Sequence, residues 1–593
     1  MQQLTNQRQP SLVKQWTTWG QVRPSRLWAF ALVVILAGYF AHAWSYHHYV
    51  NDDAYITFRY SRSLADGLGP FFNLDESVEG YTSFSMMVIV AGAIRVLGEQ
   101  AAAPAAKAIG VLSGALSIII IFWFTRFLAA GKGSASSATW WAIIAATLVA
   151  LNPCFALNST SGLETTLFAF LLTAAVVLAT IETTKRRWYG SGFLFAAGCL
   201  TRPEGLILWS VFVVVQLLLI TVAPKRPVPQ GSVAPTGRVS LARLVLSNGI
   251  ITLSVIVAHV SWRLAVYEGE WLPNTYYAKL GGFLHEGTWS YIAEGMLPAV
   301  LGPVGLIITL VGLGLGRRLL KEMAPMIAVA TTGCLLPLVT GKDWMPGYRL
   351  LIPYLPLVAC SVAVGWGTLF ERFAEGKAWF RPAVVLSICL ALWLFHGDLR
   401  QNHREYVDIR SSGYQTGHIA LAQWLNSDTH DPARPVALMD IGLIGYLCPQ
   451  RDIIDITGLT DRFIAKCEGG FLDKRYDPRY ILDRRPEFVV LTFTAPGDTK
   501  APLSPQAELS FWTPIERRIY YSSSFQSTFV SHDLPEASDD NLHRLAHRIG
   551  AEQVFEHTHP DARYLLAVFR NQELAQGGEQ HVSKTESQEL NQL

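Results

Sequence analysis

Charged side chains are scarce in this chain of 593 residues, at 16% of the sequence against 50% hydrophobic residues. So small a share of charge excludes an ordinary soluble enzyme, and the length excludes a single compact domain. Basic tracts with interleaved aromatic residues are missing, and the formal net charge is only +2, so no nucleic-acid partner is expected. The composition predicts a protein whose solvent is largely a lipid bilayer.

Cysteine is also rare, with seven in the chain and none at a zinc-binding spacing. No Rossmann or P-loop glycine motif is present to hold a nucleotide sugar. Cys448 and Cys467 lie in the polar C-terminal part, where they form either a disulfide or two free thiols if that part is extracytoplasmic. The other five lie in apolar runs and are expected to act as small hydrophobic residues: Cys154, Cys199, Cys334, Cys360 and Cys389.

The distribution of positive charge predicts the topology. Residues 1–26 contain basic residues and no acidic one, which indicates a cytoplasmic N-terminal tail before an uncleaved anchor at Leu27–Trp44. The run Ser83–Leu97 is too short to cross and is expected to lie at the outer surface, whereas Gly190–Leu200 must cross together with Thr201–Gly205. About eleven transmembrane helices and an extracytoplasmic C-terminus follow.

Composition also divides the chain. Residues 27–397 form the predicted transmembrane domain, with a Pro-rich cytoplasmic linker at Pro224–Gly237. After about His396, short β-rich runs alternate with turns and helical stretches, which predicts an extracytoplasmic α/β domain over residues 398–570. Residues 571–593 are rich in Gln, Glu, Ser and Gly and are predicted to be a disordered tail.

The first outer loop, residues 47–82, contains the main catalytic candidates. Asp52 and Asp53 stand close to the membrane boundary before an amphipathic helix pattern. Neighbouring buried carboxylates raise the proton affinity of at least one of them, which suits a general base. The alternative is a structural one, in which one aspartate caps the helix and favours its dipole.

Other outer loops contribute polar residues at the membrane edge, where ions tend to be paired and to mark a site. They contain Glu164, Arg202, Glu204, Asn274, Tyr276, Lys279, Lys342, Asp343, Trp344, Tyr348 and Arg349. An ion pair of Arg202 with Glu204 or Glu164 is the structural alternative. A carboxylate can accept the proton of a hydroxyl nucleophile, Arg and Lys bind phosphate, and sugars stack on aromatic rings. The combination therefore favours glycosyl transfer from a lipid phosphate.

Several motifs carry a resemblance to a known family. They are Asn51-Asp52-Asp53-Ala54-Tyr55, Glu79-Gly80-Tyr81-Thr82-Ser83, Gly162-Leu163-Glu164, Arg202-Pro203-Glu204-Gly205, Pro273-Asn274-Thr275-Tyr276-Tyr277-Ala278-Lys279, Lys342-Asp343-Trp344-Met345-Pro346-Gly347-Tyr348-Arg349, Asp440-Ile441-Gly442 and Asp455-Ile456-Thr457-Gly458. In order and spacing, from about residue 50 to about 465, the chain resembles the integral-membrane GT-C glycosyltransferases, and within them the terminal β-(1→2)-arabinofuranosyltransferases and their bacterial relatives.

The resemblance implies a GT-C fold in a bacterial inner membrane and inverting transfer of arabinofuranose from a polyprenyl-phosphate donor to a glycan or protein acceptor. It places the catalytic carboxylate at Asp52, with Asp53 as the second candidate. We expect Arg202, Lys279, Lys342 or Arg349 to bind the donor phosphate. The positioning candidates are Glu79, Tyr81, Glu164, Glu204, Asn274, Tyr276, Asp343, Trp344 and Tyr348.

Three points stay open at this stage. A divalent cation, Mg or Mn, between the carboxylates and the phosphate is neither required nor excluded. The donor sugar is arabinofuranose or, as the alternative, mannose or aminoarabinose. A lipid-linked sugar transporter or flippase is the rival from another class, although inverted repeats are not evident and the large acidic first loop has no role in it.

Overall fold

The computed structural model describes residues 26–130, 135–185, 190–222, 237–279, 287–374, 377, 379–427, 430–496, 503–531, 540–558 and 563–574. Residues 1–25 of the predicted cytoplasmic tail (1–26), all of the Pro-rich linker but Gly237, and residues 575–593 of the predicted disordered tail (571–593) lie outside these ranges.

The N-terminal two thirds of the chain are helical. The helices are α1 Arg26–Trp44, α2 Asp52–Ala65, α3 Phe84–Leu97, α4 Ala102–Ala130, α5 Ala135–Ala150, α6 Pro153–Thr160, α7 Thr165–Lys185, α8 Ser191–Thr201, α9 Glu204–Val222, α10 Gly237–Val266, α11 Asn274–Lys279, α12 Thr288–Met296, α13 Gly302–Leu315, α14 Arg317–Leu335, α15 Pro337–Thr340, α16 Leu355–Ala374, α17 Phe380–Phe395 and α18 Gly397–Gly413.

Within the described ranges, five helices are long and apolar enough to cross a membrane by length and composition, or up to eight if three sharply bent helix pairs each count as one span. Four shorter apolar helices, α1, α3, α8 and α9, add to these. The multi-pass helical prediction is therefore confirmed. The count of about eleven stays a prediction, because it requires α1, α8 and α9 to cross and α3 to lie at the surface.

One of the bends leads directly to the site. The helix axis turns by 57° between Ser137–Ala150 and Pro153–Thr160. Asn152 starts the second helix, since its side chain accepts a 3.0 Å hydrogen bond from the backbone N–H of Phe155, and Pro153 occupies the first turn. Because of the bend, the Ser161–Glu164 turn lies at the N-terminus of α2, where the Asn51 N–H donates a 2.9 Å hydrogen bond to the Ser161 carbonyl.

The C-terminal part is an α/β domain built on a mixed sheet. Its strands are β1 Val436–Leu438, β2 Ile453–Asp455, β3 Phe488–Ala495, β4 Ser510–Phe511, β5 Gln553–Thr558 and β6 Arg563–Arg570, in the order β2-β1-β3-β6-β5, with β4 also paired to β3. The β1–β2 and β1–β3 pairs are parallel and the others antiparallel. The predicted strands at 436, 453 and 488 are confirmed.

Short helices connect these strands. After α18 the chain forms a π-helical segment at Tyr414–Ile419, and the helices that follow are α19 Ala420–Leu425, α20 Leu443–Leu447, α21 Arg462–Lys466, α22 Arg479–Leu482, α23 Pro514–Tyr520, α24 Ser523–Thr528 and α25 Asn541–Ile549. Cys448 is buried, Cys467 is partly exposed, and both are free thiols in the structure.

Arg59 on α2 is one of the buried side chains that join the predicted first outer loop to the α/β domain. Its guanidinium donates to the carbonyls of Phe72 at 2.7 Å, Gly445 at 2.5 Å and Arg451 at 2.8 Å. A buried guanidinium is tolerated only when its donors are satisfied, so these bonds fix the position of the domain relative to α2. The sheet domain consequently lies against the start of the catalytic candidate helix.

Candidate active site at the start of helix α2

The two aspartates predicted to be catalytic begin α2, but neither one caps it. Asn51 is the N-cap, and its side chain accepts a 3.0 Å hydrogen bond from the Asp53 N–H. Asp52 and Asp53 follow in the first turn, where a negative charge interacts favourably with the helix dipole. The capping function is thus supplied by Asn51, and both carboxylates are available for other contacts.

Asp52 contacts the α/β domain. Its Oδ1 accepts a 2.8 Å hydrogen bond from the Leu443 N–H, and its Oδ2 accepts a 3.2 Å hydrogen bond from the Gly442 N–H. A Cβ atom on residue 442 would lie 2.2 Å from the Asp52 carbonyl oxygen, so only glycine allows this approach. The Asp440–Gly442 turn, noted in the sequence for its resemblance, therefore forms one wall of the site.

A second carboxylate lies behind that wall. Asp440 accepts hydrogen bonds at its Oδ2 from His418 Nε2 at 3.1 Å and from the Tyr564 hydroxyl at 2.6 Å. Burial raises the pKa of Asp440, but these hydrogen bonds and electrostatic attraction to His418 and Arg410 together lower it by more, so it stays below its usual value. Sequence reasoning missed His418 and Tyr564, because they belong to segments more than 20 residues from Asp440.

The ionisation of Asp52 reflects this environment. Burial is the largest influence and raises its pKa, the charge of His418 lowers it, and the neighbouring carboxylates of Asp440 and Asp53 raise it again. The net result is a pKa above the usual aspartate value. A raised carboxyl pKa is the property that a general base near neutral pH requires.

Asp53 faces a different set of groups. It is half-buried, and within the described ranges no side chain forms a hydrogen bond or ion pair with its carboxylate. It lies within electrostatic range of Arg349, which forms a close ion pair with Asp343. Burial lowers the pKa of Arg349, but the carboxylates of Asp343, Asp53 and Glu164 raise it by more.

Arg202 is held in a second ion-pair cluster. Its Nε lies 2.7 Å from Glu164 Oε1 and its Nη1 lies 3.2 Å from Glu204 Oε1, while Nη2 donates to the Thr165 hydroxyl at 3.3 Å. This is the ion-pair alternative that the sequence left open. Four carboxylates, those of Asp53, Glu164, Glu204 and Asp343, thus face the two guanidinium groups of Arg202 and Arg349.

Three of the positioning candidates lie away from this cluster and are buried. Glu79 forms a 2.8 Å ion pair with Arg263 of α10, and the Tyr81 hydroxyl lies 3.1 Å from that of Tyr267. The Asn274 amide donates to the carbonyls of Gly458 at 2.9 Å and Leu459 at 3.1 Å. Their groups are engaged within the protein, which indicates that they hold the first loop, α10, α11 and the α/β domain together.

Of the remaining candidates, four are exposed and Tyr348 is half-buried. Lys342, Trp344, Tyr276 and Lys279 are exposed, and Lys279 Nζ lies 5.6 Å above the Phe471 ring. Tyr348 adopts a left-handed backbone with φ of 46°, and its hydroxyl donates to Glu294 at 3.2 Å. No ion pair of Lys342 forms within the described part of the chain, so it is a cation available to a ligand.

A metal site of the usual kind is not found in the described ranges, where no group of three or more His, Cys, Asp or Glu side chains could hold an ion. The arginines near the start of α2, Arg202 and Arg349, are paired with carboxylates.

Comparisons with known proteins give two kinds of match. Residues 404–539 match the model of a family described as a domain of unknown function (DUF8728). The chain is also similar to the crystal structure of ArnT from Cupriavidus metallidurans bound to undecaprenyl phosphate, at 15% identity and a TM-score of 0.48 over 78% of this chain and 92% of that one.

The same ArnT in the apo state gives 15% identity and a TM-score of 0.47, covering 80% of this chain and 93% of that one. A search of curated proteins finds no match.

Proposed function

We propose that this protein is a glycosyltransferase of the GT-C class that moves a sugar from a polyprenyl-phosphate donor to a glycan or protein acceptor on the extracytoplasmic side, with inversion. Arabinofuranose is the sugar that the resemblance implies. The observation that carries the proposal is the adjacent pair Asp52 and Asp53, placed where the apolar helices meet the α/β domain and held in two different environments.

In the proposed reaction, Asp52 is the general base. An acceptor hydroxyl attacks the anomeric carbon of the sugar as the bond between that carbon and the phosphate oxygen breaks, and the hydroxyl proton passes to the Asp52 carboxylate. The lipid phosphate leaves with the bonding electron pair. Within the described part of the chain, each oxygen of Asp52 accepts one backbone hydrogen bond, which leaves a second acceptor position for this proton.

The four cations predicted to bind the donor phosphate differ in whether carboxylates already neutralise them. Arg202 and Arg349 are already compensated by carboxylates, whereas Lys342 and Lys279 are exposed. We therefore assign the first contact with the donor phosphate to Lys342, with Arg349 nearby to take up the charge that develops as the phosphate leaves. Trp344, exposed two residues from Lys342, is the aromatic surface for the sugar or the lipid.

The donor sugar is tested by supplying the purified protein with radiolabelled arabinofuranosyl, aminoarabinosyl and mannosyl prenyl phosphates in parallel. Each incubation contains the same acceptors, extracted from a strain that lacks the gene. Labelling of the acceptor from the arabinofuranosyl lipid alone supports the proposal as stated. If only one of the other two lipids labels the acceptor, the proposed reaction type is supported but the donor sugar is not arabinofuranose. If no lipid labels the acceptor, the proposed activity is contradicted.

A further inference from the structure

Two ionisable residues of the α/β domain lie beside the proposed base without having been part of the predicted site. His418 is the fifth residue of the π-helical segment Tyr414–Ile419, and Asp440 follows strand β1. His418 is 2% exposed, and its Nε2 donates to Asp440 at 3.1 Å. Its Nδ1 is buried without a hydrogen-bond partner in the described ranges.

The pair is connected to Asp52 through the backbone. Asp440 begins the turn whose Gly442 and Leu443 N–H groups hold both oxygens of the Asp52 carboxylate. The Tyr564 hydroxyl on β6 donates to the same Asp440 oxygen as His418, at 2.6 Å. Three segments distant in sequence, the π-helical segment, the turn after β1 and strand β6, therefore converge behind one side chain of the first outer loop.

The energetics make a purely structural explanation costly. Burying an ionisable pair loses hydration energy that the mutual attraction often fails to offset, and apolar residues of similar volume stabilise a fold at least as well. Strained or π-helical turns and perturbed ionisable groups cluster at functional sites. Here a π-helical segment, a pair formed by the buried His418 and the half-buried Asp440, and the candidate base lie next to one another.

We propose that His418 and Asp440 are positioning residues of the transfer site: they hold the Asp440–Leu443 turn against Asp52 and place an imidazole and a second carboxylate beside the Asp52 carboxylate. This inference rests on the proposed function. It assigns the α/β domain a part in the reaction itself, beyond any contact with the acceptor.

Other ionisable groups also surround these residues and must be considered in any pH experiment. Asp53 and Tyr55 come from α2, Arg410 from α18, Tyr414 from the π-helical segment, Glu516 from α23, His557 from β5 and Tyr564 from β6. None of them is changed in the variants of the pH–rate experiment.

The first test compares pH–rate profiles of sugar transfer for the full-length protein. Removing the imidazole in His418→Gln should move the low-pH decline of the rate to higher pH by roughly 1 pH unit, because an imidazolium beside a carboxylate favours its ionised form. Adding Asp440→Asn to that variant should move the decline back to lower pH, since a like charge is lost. His547→Gln, at an exposed position of α25, is the matched control.

Opposite shifts cannot arise from general damage to the domain, which lowers the rate at every pH. If both variants retain the wild-type profile and differ only in amplitude, the inference is wrong. If the wild-type protein transfers no sugar from any donor, the proposed function itself fails, and this outcome is distinct from the first.

A second measurement needs no activity and covers the case in which His418→Gln does not fold. Amide hydrogen exchange of the peptide containing residues 441–447 is followed in wild-type, Asp52→Ala and Asp53→Ala proteins. Loss of the carboxylate acceptor should accelerate exchange at Gly442 and Leu443 by roughly tenfold in Asp52→Ala, and leave Asp53→Ala unchanged. Equal exchange in all three proteins would contradict the contact on which the inference depends.

Discussion

Asp52 Oδ1 accepts a 2.8 Å hydrogen bond from the backbone N–H of Leu443, a residue 391 positions further along the chain. This bond joins the first outer loop, which contains the proposed base, to the α/β domain. The domain is therefore part of the candidate site and not an appendage to the helices.

The two aspartates should differ in their effect on catalysis. Loss of a general base typically costs 10²–10⁴-fold in rate, so we expect a decrease of this order in kcat for Asp52→Asn and a smaller one for Asp53→Asn. Single-turnover transfer from a labelled donor lipid measures both. Asp75→Asn, an exposed aspartate of the same loop, is the control and should retain the wild-type rate.

A larger loss in Asp53→Asn than in Asp52→Asn would transfer the base function to Asp53. Wild-type rates in both variants would remove the carboxylate pair from the mechanism.

The pH dependence follows from the raised pKa of Asp52. A base must be ionised to accept a proton, so kcat/KM should fall as the pH decreases through the pKa of Asp52, at a pH above the usual aspartate value of 3.8. Profiles measured with saturating acceptor check this. An acid limb at or below pH 3.8 would show that Asp52 is not the titrating base.

Part of this site was readable from the sequence, because local signals produced it. Asn51, Asp52 and Asp53 form a helix start that capping preference and dipole interaction explain. The apolar runs predicted the helical part, and alternating β-rich runs predicted β1, β2 and β3. These features depend on residues within a few positions of one another.

The tertiary partners could not be read in this way. Nothing near His418 or Tyr564 indicates that both reach Asp440, and the partner of Glu79 turned out to be Arg263, inside an apolar helix. Glu79, Tyr81 and Asn274 look like site residues in sequence, yet their polar groups are engaged with buried partners. Such pairings depend on how distant segments pack, which a local pattern does not encode.

The Glu79–Arg263 pair should matter for stability. Both side chains are under one tenth exposed, and removing one member of a buried pair costs about 3–5 kcal/mol because the other charge is left uncompensated. We expect Glu79→Ala to lower the thermal unfolding midpoint in detergent, and the double variant Glu79→Leu with Arg263→Leu to recover much of the loss. The exposed pair Asp431–Arg434 is the control, where Arg434→Ala should cost under about 1 kcal/mol.

A single variant as stable as the wild type, or a double variant less stable than either single one, would contradict a structural function for the pair.

Substitutions of Lys342 and Arg202 should have different effects, because only Arg202 already has carboxylate partners in the described ranges. Lys342 has no ion pair in the described ranges, so Lys342→Gln should raise KM for the donor lipid about tenfold or more, as expected for loss of a charge-assisted hydrogen bond, and leave the fold intact. Arg202→Gln should instead destabilise the protein, because Glu164 and Glu204 lose their partner.

Donor titrations combined with thermal unfolding distinguish the two variants. If the donor KM is unchanged in Lys342→Gln but raised in an Arg202→Gln protein of wild-type stability, the phosphate contact belongs to Arg202 and not to Lys342.

The central claim is transfer of a sugar from a lipid phosphate, dependent on the carboxylate pair. The most direct test compares the wild-type protein with a double variant that contains Asp52→Asn and Asp53→Asn. Each protein is reconstituted in liposomes that contain radiolabelled prenyl-phosphoryl arabinose, with acceptor on the outside. We predict label in the acceptor with the wild-type protein and none with the double variant. Movement of the labelled lipid between leaflets with no label in the acceptor, equal for both proteins, would contradict the account.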